Sequence, residues 1–520
     1  MLGGRKKVLW IDGEIENFSA QIGFLEAKGY DVTPGFSGDE AIRLIEQNPS
    51  AFNIVIIDQR MPKAGIATFE ALKKINSGIP VVMIESSDER LDDVYREKAD
   101  AVLVKPFNNE QIYAICKKLL EPRKIISNQF SQKFIRSYSE NRTALEGYLS
   151  YKDWVKMYDN LTSWDLEIDK VDDEGLRDAH ARQKAETGKV FANFVEENYV
   201  SWIKGESGSP ILCHDALKKM VFKNAEQDKP TFLLVLSGMR YDQYLILESL
   251  LKSFSDVKKN AFFSILPTSA PFSRLAFLSG TLPSDFAKKE DNVWKTGDET
   301  EAETSIFEKD ALFAHLSANG IKADVNEPWF LYLPEKFDSE QIISQIDKCK
   351  ESKFVACIID FFKSISFNWL SSSSEDSVHD ESEMRSFTKS WFEESGLLYI
   401  IENIISKGYR VIITSDHGNV LCSRCTELYR VQDWGKNLRY KFGTDISSDE
   451  RRALFIQDPI YFGLPGNLGN KCCFVAKENF YFVPPDKNES YKNEFCNSFH
   501  DGGISMDEII MPMGIVDRKS

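Results

Sequence analysis

The feature that most constrains the fold is a repeated alternation of short apolar runs and amphipathic stretches in residues 6–120. Runs such as KVLWID, NIVIID, PVVMIE and AVLVK alternate with segments of helical periodicity. This α/β pattern predicts a flavodoxin-like sheet of five parallel strands between helices, with ligands beyond the carboxyl ends of the strands. We expect Pro122 to end the closing helix, at 108–120.

The rest of the 520-residue chain predicts a helical segment followed by a second α/β domain. Residues 123–208 show a period near 3.6 and no strand-like alternation, which is typical of a helical bundle. The apolar runs 231–240, 261–267, 353–362 and 409–418 are predicted to be buried parallel strands. The predicted domains are 1–122, 123–208 and 209–520.

Charge and hydropathy narrow the classes of function. The chain has 64 Lys and Arg against 80 Asp and Glu, a net charge of −16, so its average field repels DNA and anionic membranes. No apolar run reaches the length of a membrane span and the N-terminal residues do not resemble a secretory signal, so we expect a cytoplasmic protein without a membrane span.

The nine cysteines are expected to be reduced thiols, because most stand singly in apolar or helical patterns. One alternative stays open. Cys422 and Cys425 form a C-x-x-C pair and Cys472 and Cys473 are adjacent, which permits a four-thiolate zinc site, although the second pair lacks the usual spacing.

Three chemically useful side chains are predicted to converge at one edge of the first sheet. Asp12 follows the first strand, Asp58 ends the run NIVIID, and Lys105 ends the run AVLVK. Carboxylates can hold Mg²⁺ or accept a phosphoryl group, and a lysine can hold the transferred phosphate. The pattern resembles the receiver domain of bacterial response regulators. The resemblance implies that Asp58 is the phosphoacceptor, in a pocket with Asp12, Glu14, Glu85 and Lys105.

Three positions depart from that family. Gly13 stands where a second acidic residue is usual, Glu85 replaces a hydroxyl residue, and Val102 replaces the switching aromatic residue. We therefore expect only weak Mg²⁺ binding. A further hypothesis is that Glu85 forms a permanent ion pair with Lys105 and stands in for the phosphoryl group.

The C-terminal domain contains a pair of residues that suits a metal site. Asp416 and His417 follow the run RVIITS, and two-metal hydrolases take ligands from several strand ends. Together with ILPTSAPFSR and HDGGISMDE, the pair resembles the PglZ-type branch of the alkaline phosphatase superfamily. The whole chain resembles PorX-type response regulators of Bacteroidetes, which are associated with type IX secretion.

The resemblance implies two zinc ions and a hydroxyl nucleophile, and most of those positions are changed here. The lost ligand positions are Ser237, Lys363 and Phe367, the nucleophile position is Ala270, and Asp360 lies three residues early. The residual metal-ligand candidates are Asp416, His417, His500 and Asp501. We expect Zn²⁺ to be absent, although a single zinc held by three of these residues stays open.

These observations predict a signalling protein whose phosphatase-like domain is inactive and acts by binding protein or nucleotide. The partners implied by the resemblance are a second copy through the receiver, a sigma factor, or secretion-machinery proteins. The alternative is a zinc-dependent phosphodiesterase or phosphatase controlled by phosphorylation of Asp58, with Thr268 or Ser269 as a displaced nucleophile. A nucleotide would be held by the anion-binding candidates Arg240, Arg274, Lys363 and Arg439, although Arg240 could instead pair with Asp242.

Overall fold

A computed structural model places most of the chain. The described residues are 6–48, 51–60, 65–76, 78–86, 93–171, 173–224, 229–334, 336–365, 380–432 and 434–519. The chain divides into two compact units, Met1–Ser137 and Tyr138–Ser520.

The first unit contains the predicted sheet of five parallel strands, in the order β2-β1-β3-β4-β5. The strands are β1 (Lys6–Ile11), β2 (Tyr30–Gly35), β3 (Ile54–Asp58), β4 (Val81–Ser86) and β5 (Ala101–Lys105). The helices are α1 (Ser19–Ala27), α2 (Gly38–Gln47), α3 (Gly65–Ile75), α4 (Asp93–Lys98) and α5 (Asn109–Leu145). Every residue of β3 and β4 is buried, because both faces of the sheet are covered. This explains the apolar runs IVII and VVMI that precede Asp58 and Glu85.

The expected end of the closing helix at Pro122 is wrong. Helix α5 continues through Pro122 to Leu145. A proline inside a helix removes one amide hydrogen bond and crowds the preceding turn, but it does not prevent helical turns from forming on either side. Pro122 therefore lies inside the helix and does not end it.

Two long helices follow, as the periodicity of this segment predicts. They are α6 (Tyr151–Ile168) and α7 (Glu174–Ile203). Asp153 accepts hydrogen bonds from the Ser150 amide and hydroxyl, and Asp173 accepts one from the Leu176 amide, so both N-termini are capped. We call α6 and α7 the linker helices. No helix among the described residues is long and apolar enough to cross a membrane.

The second unit also contains a large mixed sheet in the order β7-β19-β10-β6-β9-β8. Its strands and those of three smaller sheets are β6 (Thr231–Leu236), β7 (Ser255–Phe263), β8 (Phe330–Leu333), β9 (Phe354–Ile359), β10 (Arg410–Thr414), β11 (Val420–Cys422), β12 (Arg424–Tyr429), β13 (Tyr440–Gly443), β14 (Ser447–Ser448), β15 (Ala453–Ile456), β16 (Cys472–Ala476), β17 (Phe480–Val483), β18 (Ser498–His500) and β19 (Ile510–Arg518).

The remaining helices of the second unit precede these strands or lie between them in the chain. They are α8 (Cys213–Ala216), α9 (Tyr241–Leu251), α10 (Leu275–Ser279), α11 (Pro283–Phe286), α12 (Glu301–Thr304), α13 (Glu308–Ala318), α14 (Ser339–Ile346), α15 (Glu381–Glu394), α16 (Leu397–Ser406), α17 (Asn488–Phe495) and α18 (Met506–Ile509). A short π-helical turn covers Ala270–Arg274.

Three of the four predicted strands of the second domain lie parallel and adjacent, as β6, β9 and β10. The fourth prediction, 261–267, is wrong in bounds and in pairing. Strand β7 begins at Ser255 and pairs with β19, which is antiparallel to both β7 and β10. The first part of β7 is polar and half-exposed, which is typical of an edge strand, so only its apolar end carried a strand signal.

The linker helices and the large sheet share one hydrophobic core. Trp154 of α6 packs on Phe191 of α7, with ring centroids 5.1 Å apart. Trp202 of α7 packs edge-to-face on Phe263 of β7 at 5.5 Å. All four side chains belong to the same cluster of buried residues. The linker helices therefore stabilise the large sheet directly.

This shared core predicts the effect of truncating one buried side chain. We expect Trp154→Ala to lower the free energy of unfolding of the second unit by about 3–5 kcal/mol, because it removes a fully buried ring and leaves a cavity. Denaturant unfolding followed by circular dichroism measures the change. Tyr148→Ala is the matched control, since Tyr148 is 86% exposed and its loss should cost less than about 0.5 kcal/mol. A linker that unfolds separately from the large sheet would contradict the shared core.

Candidate functional site

A cleft of about 390 Å³ opens beyond the carboxyl ends of β6, β9 and β10. This is the edge at which ligands bind in open α/β sheets. The structure brings most of the residues singled out in the sequence to this cleft: Ser237, Ala270, Lys363, His417, His500 and Asp501 line it. Asp416 lies buried beside it, and Phe367 lies outside the described residues.

The first predicted ligand position is occupied by a serine whose hydroxyl is already bonded. Ser237 Oγ donates to Asp416 Oδ2 at 3.1 Å and accepts from Arg274 Nη1 at 3.1 Å. Burial alone would raise the pKa of Asp416, but the charges of His417 and Arg274 outweigh it and lower the pKa to about 2. Asp416 is therefore an ionised carboxylate that protein cations neutralise.

The second surviving residue, His417, lies between two carboxylates. Its Nδ1 is 2.9 Å from Asp416 Oδ2, an ion-pair contact without the angle of a hydrogen bond, and its Nε2 is 3.3 Å from Asp501 Oδ2. Burial lowers the pKa of His417, but Asp416 and then Asp501 raise it to about 10. In the metal-free protein these two carboxylates therefore favour the protonated form of His417.

The nucleophile position holds a methyl group. Ala270 is the first residue of the π-helical turn that borders the cleft. Both displaced candidates are buried, but Ser269 belongs to the lining of the cleft, whereas Thr268 donates its hydroxyl to the Gly503 carbonyl at 2.8 Å. Ser269 is therefore the candidate that lies nearer to a ligand in the cleft.

Two carboxyl groups in the cleft were not assigned a role from the sequence. The pKa of Asp360 is raised to about 7 by burial and by the neighbouring Glu301. Glu301 accepts from Arg274 Nη1 at 2.6 Å and from the Tyr332 hydroxyl. The sequence indicates Asp360, which directly follows the apolar run of β9, only as a residue three positions early of a ligand position, and Glu301 lies in a polar stretch that carries no pattern.

The residues present do not fit the two zinc ions that the resemblance implies. A serine hydroxyl, an alanine methyl and a lysine ammonium stand at Ser237, Ala270 and Lys363, and none of them is a ligand that zinc uses. Within the described ranges, no group of three or more His, Cys, Asp or Glu residues is placed to hold a metal ion.

The four-cysteine alternative is not formed either. Cys422 and Cys425 pack in one small cluster with Tyr481, whereas Cys472 and Cys473 lie on β16 against other residues.

The predicted set of anion-binding arginines is also wrong. Arg240 is buried and donates two hydrogen bonds to Asp242, at 3.0 and 2.7 Å. Arg439 is buried and pairs with Glu508, and Arg274 donates to Glu308 at 2.8 Å. A buried arginine needs a carboxylate partner, so these guanidinium groups support the fold. Lys363 is the member of the set that lines the cleft.

The receiver residues do converge at the edge of the first sheet. Lys105 Nζ lies 2.8 Å from Asp12 Oδ2 and also contacts Asp58 Oδ2. Burial raises the pKa of Asp12, and the nearby Asp58 adds to this, while the Lys105 hydrogen bond opposes it. A divalent cation here would be held by Asp12 and Asp58, in competition with the Lys105 ammonium.

The hypothesis that Glu85 pairs with Lys105 is wrong. Glu85 is 2% exposed and its carboxylate pairs with Arg96 of α4 at 3.1 Å. Lys105 instead extends to the carboxylates that follow β1 and end β3. Glu14 is exposed; its carboxylate accepts from the Asn17 side chain at 3.3 Å, and its amide donates to Asp12 Oδ1 at 2.9 Å.

Comparison with known proteins identifies the second unit. Residues 216–515 match the family model of the BREX system PglZ alkaline phosphatase-like domain, which covers more than half of the chain. The chain belongs to this PglZ family. Residues 124–203 match the PorX response regulator linker domain and residues 8–117 match the response regulator receiver domain. Receiver, PorX linker and PglZ domain together form the PorX-type architecture.

Individual relatives match only part of the chain. The transcriptional regulatory protein CpxR homolog of Haemophilus influenzae is 33% identical over 135 residues, 25% of this chain and 58% of the relative. The regulator of alkaline phosphatase synthesis PhoP of Bacillus subtilis is 28% identical, over 25% of this chain and 54% of its own. The chain thus spans about half the length of these curated relatives. A receiver domain structure from Clostridium thermocellum is 26% identical over 23% of this chain and 98% of its own, with a TM-score of 0.22.

The position of His417 predicts an unusual titration. We expect its imidazole to stay protonated through neutral pH and to titrate near pH 10, because two carboxylates hold the proton. Its pKa is raised, so its contribution to stability is complete below about pH 6.5 and is lost as the pH rises through 10. NMR of ¹³C-histidine-labelled protein measures the titration.

His500 and Asp501→Asn provide the controls for this experiment. Burial lowers the pKa of His500 to about 4, so His500 should be neutral above pH 5.5 in the same spectra. Asp501→Asn removes one of the two carboxylates and should lower the His417 pKa by at least about one unit. A His417 signal that titrates near 6.5 in the unaltered protein would contradict the ion-pair arrangement.

Proposed function

We propose that this two-component-type regulator acts through a PglZ domain that binds a partner and does not hydrolyse phosphoesters. The observation that carries the proposal is the set of side chains in the cleft. A methyl group stands at Ala270, where the family resemblance implies a nucleophile, and an ammonium stands at Lys363, where it implies a metal ligand.

The size of these effects favours binding over catalysis. Loss of a nucleophile alone typically lowers a hydrolytic rate by several orders of magnitude. The Lys363 ammonium opposes a bound cation by electrostatic repulsion as well as by failing to coordinate it. Arg274 donates a hydrogen bond to Ser237, which in turn donates to Asp416. The positive charge near the Asp416 carboxylate therefore comes from a protein side chain.

Metal content and hydrolysis test the proposal together. We expect the full-length protein, purified from zinc-supplemented medium, to contain fewer than about 0.2 equivalents of zinc, because the cleft lacks most of the groups that a two-zinc site uses. We expect no hydrolysis of bis(p-nitrophenyl) phosphate above the buffer rate, with or without added zinc. Elemental analysis and absorbance measure the two quantities. About two equivalents of zinc with zinc-dependent turnover would refute the proposal.

The second candidate function is a zinc-dependent phosphodiesterase controlled by Asp58. The observation in its favour is Ser269, a buried residue of the cleft lining one position before Ala270. If hydrolysis is found, Ser269→Ala should abolish it, whereas Thr268→Val should leave activity in a protein that still folds. Thr268 is the matched control because its hydroxyl is bonded to the Gly503 carbonyl, away from the cleft.

We propose Asp58 as the phosphoacceptor of the receiver, since its carboxylate lies with Asp12 and Lys105 at the edge of the sheet. Mg²⁺, held weakly by Asp12 and Asp58, would neutralise the two carboxylates and an incoming phosphoryl group. By the PorX-type architecture, the partners are a second copy through the receiver, a sigma factor or type IX secretion proteins, in the cytoplasm.

A nucleotide is a less favoured ligand, because Arg240 and Arg439 are buried in ion pairs outside the cleft.

Phosphorylation of Asp58 gives a direct test. With acetyl phosphate and millimolar Mg²⁺, we expect a fraction of the protein to gain one phosphoryl group, about 80 Da, by intact mass spectrometry. Asp58→Asn should gain none, since the amide is not a nucleophile. Asp100→Asn is the control for loss of a carboxylate elsewhere in the receiver, where Asp100 pairs with Lys73. A similar gain in Asp58→Asn would assign the phosphoryl group to another residue.

A further inference from the structure

One short segment of the PglZ domain joins the cleft to the linker helices. Residues 501–508, here called the Asp501 segment, begin at the cleft with Asp501 and end in α18 with Asp507 and Glu508. The segment contains Gly502 at a φ of +111°, a conformation that favours glycine. The chain therefore turns sharply at Gly502, between Asp501 at the cleft and Asp507 at the linker helices.

The linker end of the segment is held by a buried hydrogen bond. The Tyr158 hydroxyl of α6 donates to Asp507 Oδ1 at 2.8 Å. Tyr158 is fully buried, and its ring packs on Tyr241 with centroids 5.3 Å apart. Tyr158 thus reaches the Asp501 segment from a rigid position in the shared core, and a bond of this kind is strong because water does not compete for it.

The second linker helix contacts the same segment through one intermediate residue. Glu196 of α7 pairs with Lys477 at 2.6 Å, and Lys477 is 3% exposed. Lys477 forms a β-bridge with Ile504, and the Ile504 amide donates to the Ala476 carbonyl at 2.8 Å. Both linker helices therefore bear on the segment, one at Asp507 and one at Ile504.

Inside the segment, Glu508 connects the linker end to the cleft end. Its carboxylate accepts from the Gly503 amide at 2.7 Å and from Arg439 Nε at 3.1 Å. A Cβ atom at Gly503 would lie 2.2 Å from Arg439 Nη2, so the backbone passes directly against this guanidinium. The Gly503 carbonyl in turn accepts from Thr268, which precedes Ser269 at the cleft. These contacts tie the backbone at Gly503 to Glu508, the residue next to Asp507.

At the cleft end, the segment presents a charged group to the site already described. Asp501 Oδ2 lies 3.3 Å from His417 Nε2, and the Asp501 carbonyl accepts from the Asn437 side chain at 3.3 Å. Both Asp501 and Asn437 line the cleft. The position of the segment therefore sets the shape and charge of one wall of the cleft.

We propose that the linker helices control the cleft through the Tyr158–Asp507 hydrogen bond, which holds the Asp501 segment in its cleft-forming position. The linker is then a regulatory part of the effector and Tyr158 is a positioning residue. The inference rests on the proposed function in one respect, that the cleft is the working site of the PglZ domain. The contacts that carry it run without a break from Tyr158 through Asp507, Glu508 and Gly503 to Asp501 at the cleft.

Hydrogen exchange on the full chain tests this control. Tyr158→Phe removes the hydroxyl and keeps the ring, and Asp507→Ala removes the acceptor from the other side. In both variants we expect amides of residues 501–505 to exchange at least about fivefold faster, the factor that loss of one hydrogen bond gives. Peptides from β6 should exchange at the wild-type rate, which separates local release from global unfolding. Mass spectrometry of peptic peptides measures both.

Two further variants sharpen the test. Asp507→Asn keeps an oxygen acceptor for Tyr158 and should exchange nearly as slowly as the wild type. Tyr151→Phe is the matched control on the same helix, because no hydrogen bond of the Tyr151 hydroxyl is found within the described part of the chain, and the substitution keeps the ring that packs near Phe263. If Tyr158→Phe does not fold, the contrast between Asp507→Ala and Asp507→Asn carries the test.

Three outcomes would overturn the proposal. One is faster exchange confined to 506–509, which would show that the effect does not reach the cleft. Another is equal acceleration in Tyr151→Phe, and a third is equal acceleration in Asp507→Asn. The zinc content of the wild-type sample is measured separately: two equivalents would contradict the proposed function, whereas the exchange comparison judges the linker contact in either case.

Discussion

The second unit depends on a buried set of ion pairs between the linker helices and the PglZ domain. Asp165 of α6 contacts both His180 and Lys184 of α7, at 3.0 Å each, and Lys184 also contacts Glu381 of α15 at 2.8 Å. Burial alone would lower the pKa of Lys184, but Asp165 and Glu381 raise it. Each charge is tolerated inside the protein only because the others are present.

The same set of charges extends into the PglZ domain. Arg385 of α15 pairs with Asp169 at the end of α6 at 2.6 Å, and with Asp242 at 3.3 Å, where Arg240 is also bonded. These pairs join side chains of α6 and α7 to side chains of α15 and α9. On separation water would solvate these charges again, so the ion pairs fix how α6 and α15 pack, while the shared hydrophobic core makes the linker and the effector one folded body.

The sequence predicted those parts of the molecule that periodicity and strand ends determine. The five parallel strands of the receiver and the convergence of Asp12, Asp58 and Lys105 follow from strand order and from position along a strand, whereas the place of Ser237 and Ala270 in one cleft was implied by the family resemblance. Parallel strands place their carboxyl ends at one edge of the sheet, so residues at those ends can be predicted to lie close together without a structure.

The choice of partner for each charged side chain could not be predicted in this way. Glu85 pairs with Arg96 and Arg439 pairs with Glu508, both across distances in sequence that no local pattern links. Glu301 gave no signal at all. A pattern of apolar residues reports which side chains are buried, but the pairing of buried charges depends on the packing of several elements at once.

The bonding of Ser237 has a consequence for how this cleft can change over generations. A carboxylate at position 237 alone would lie beside the buried, ionised Asp416, and the two negative charges would share Arg274 as their nearby cation. Under the proposed function, a hydroxyl at position 270 or a carboxylate at position 363, introduced singly, would not complete a two-metal site. A hydrolase would then require several substitutions in the present cleft at once.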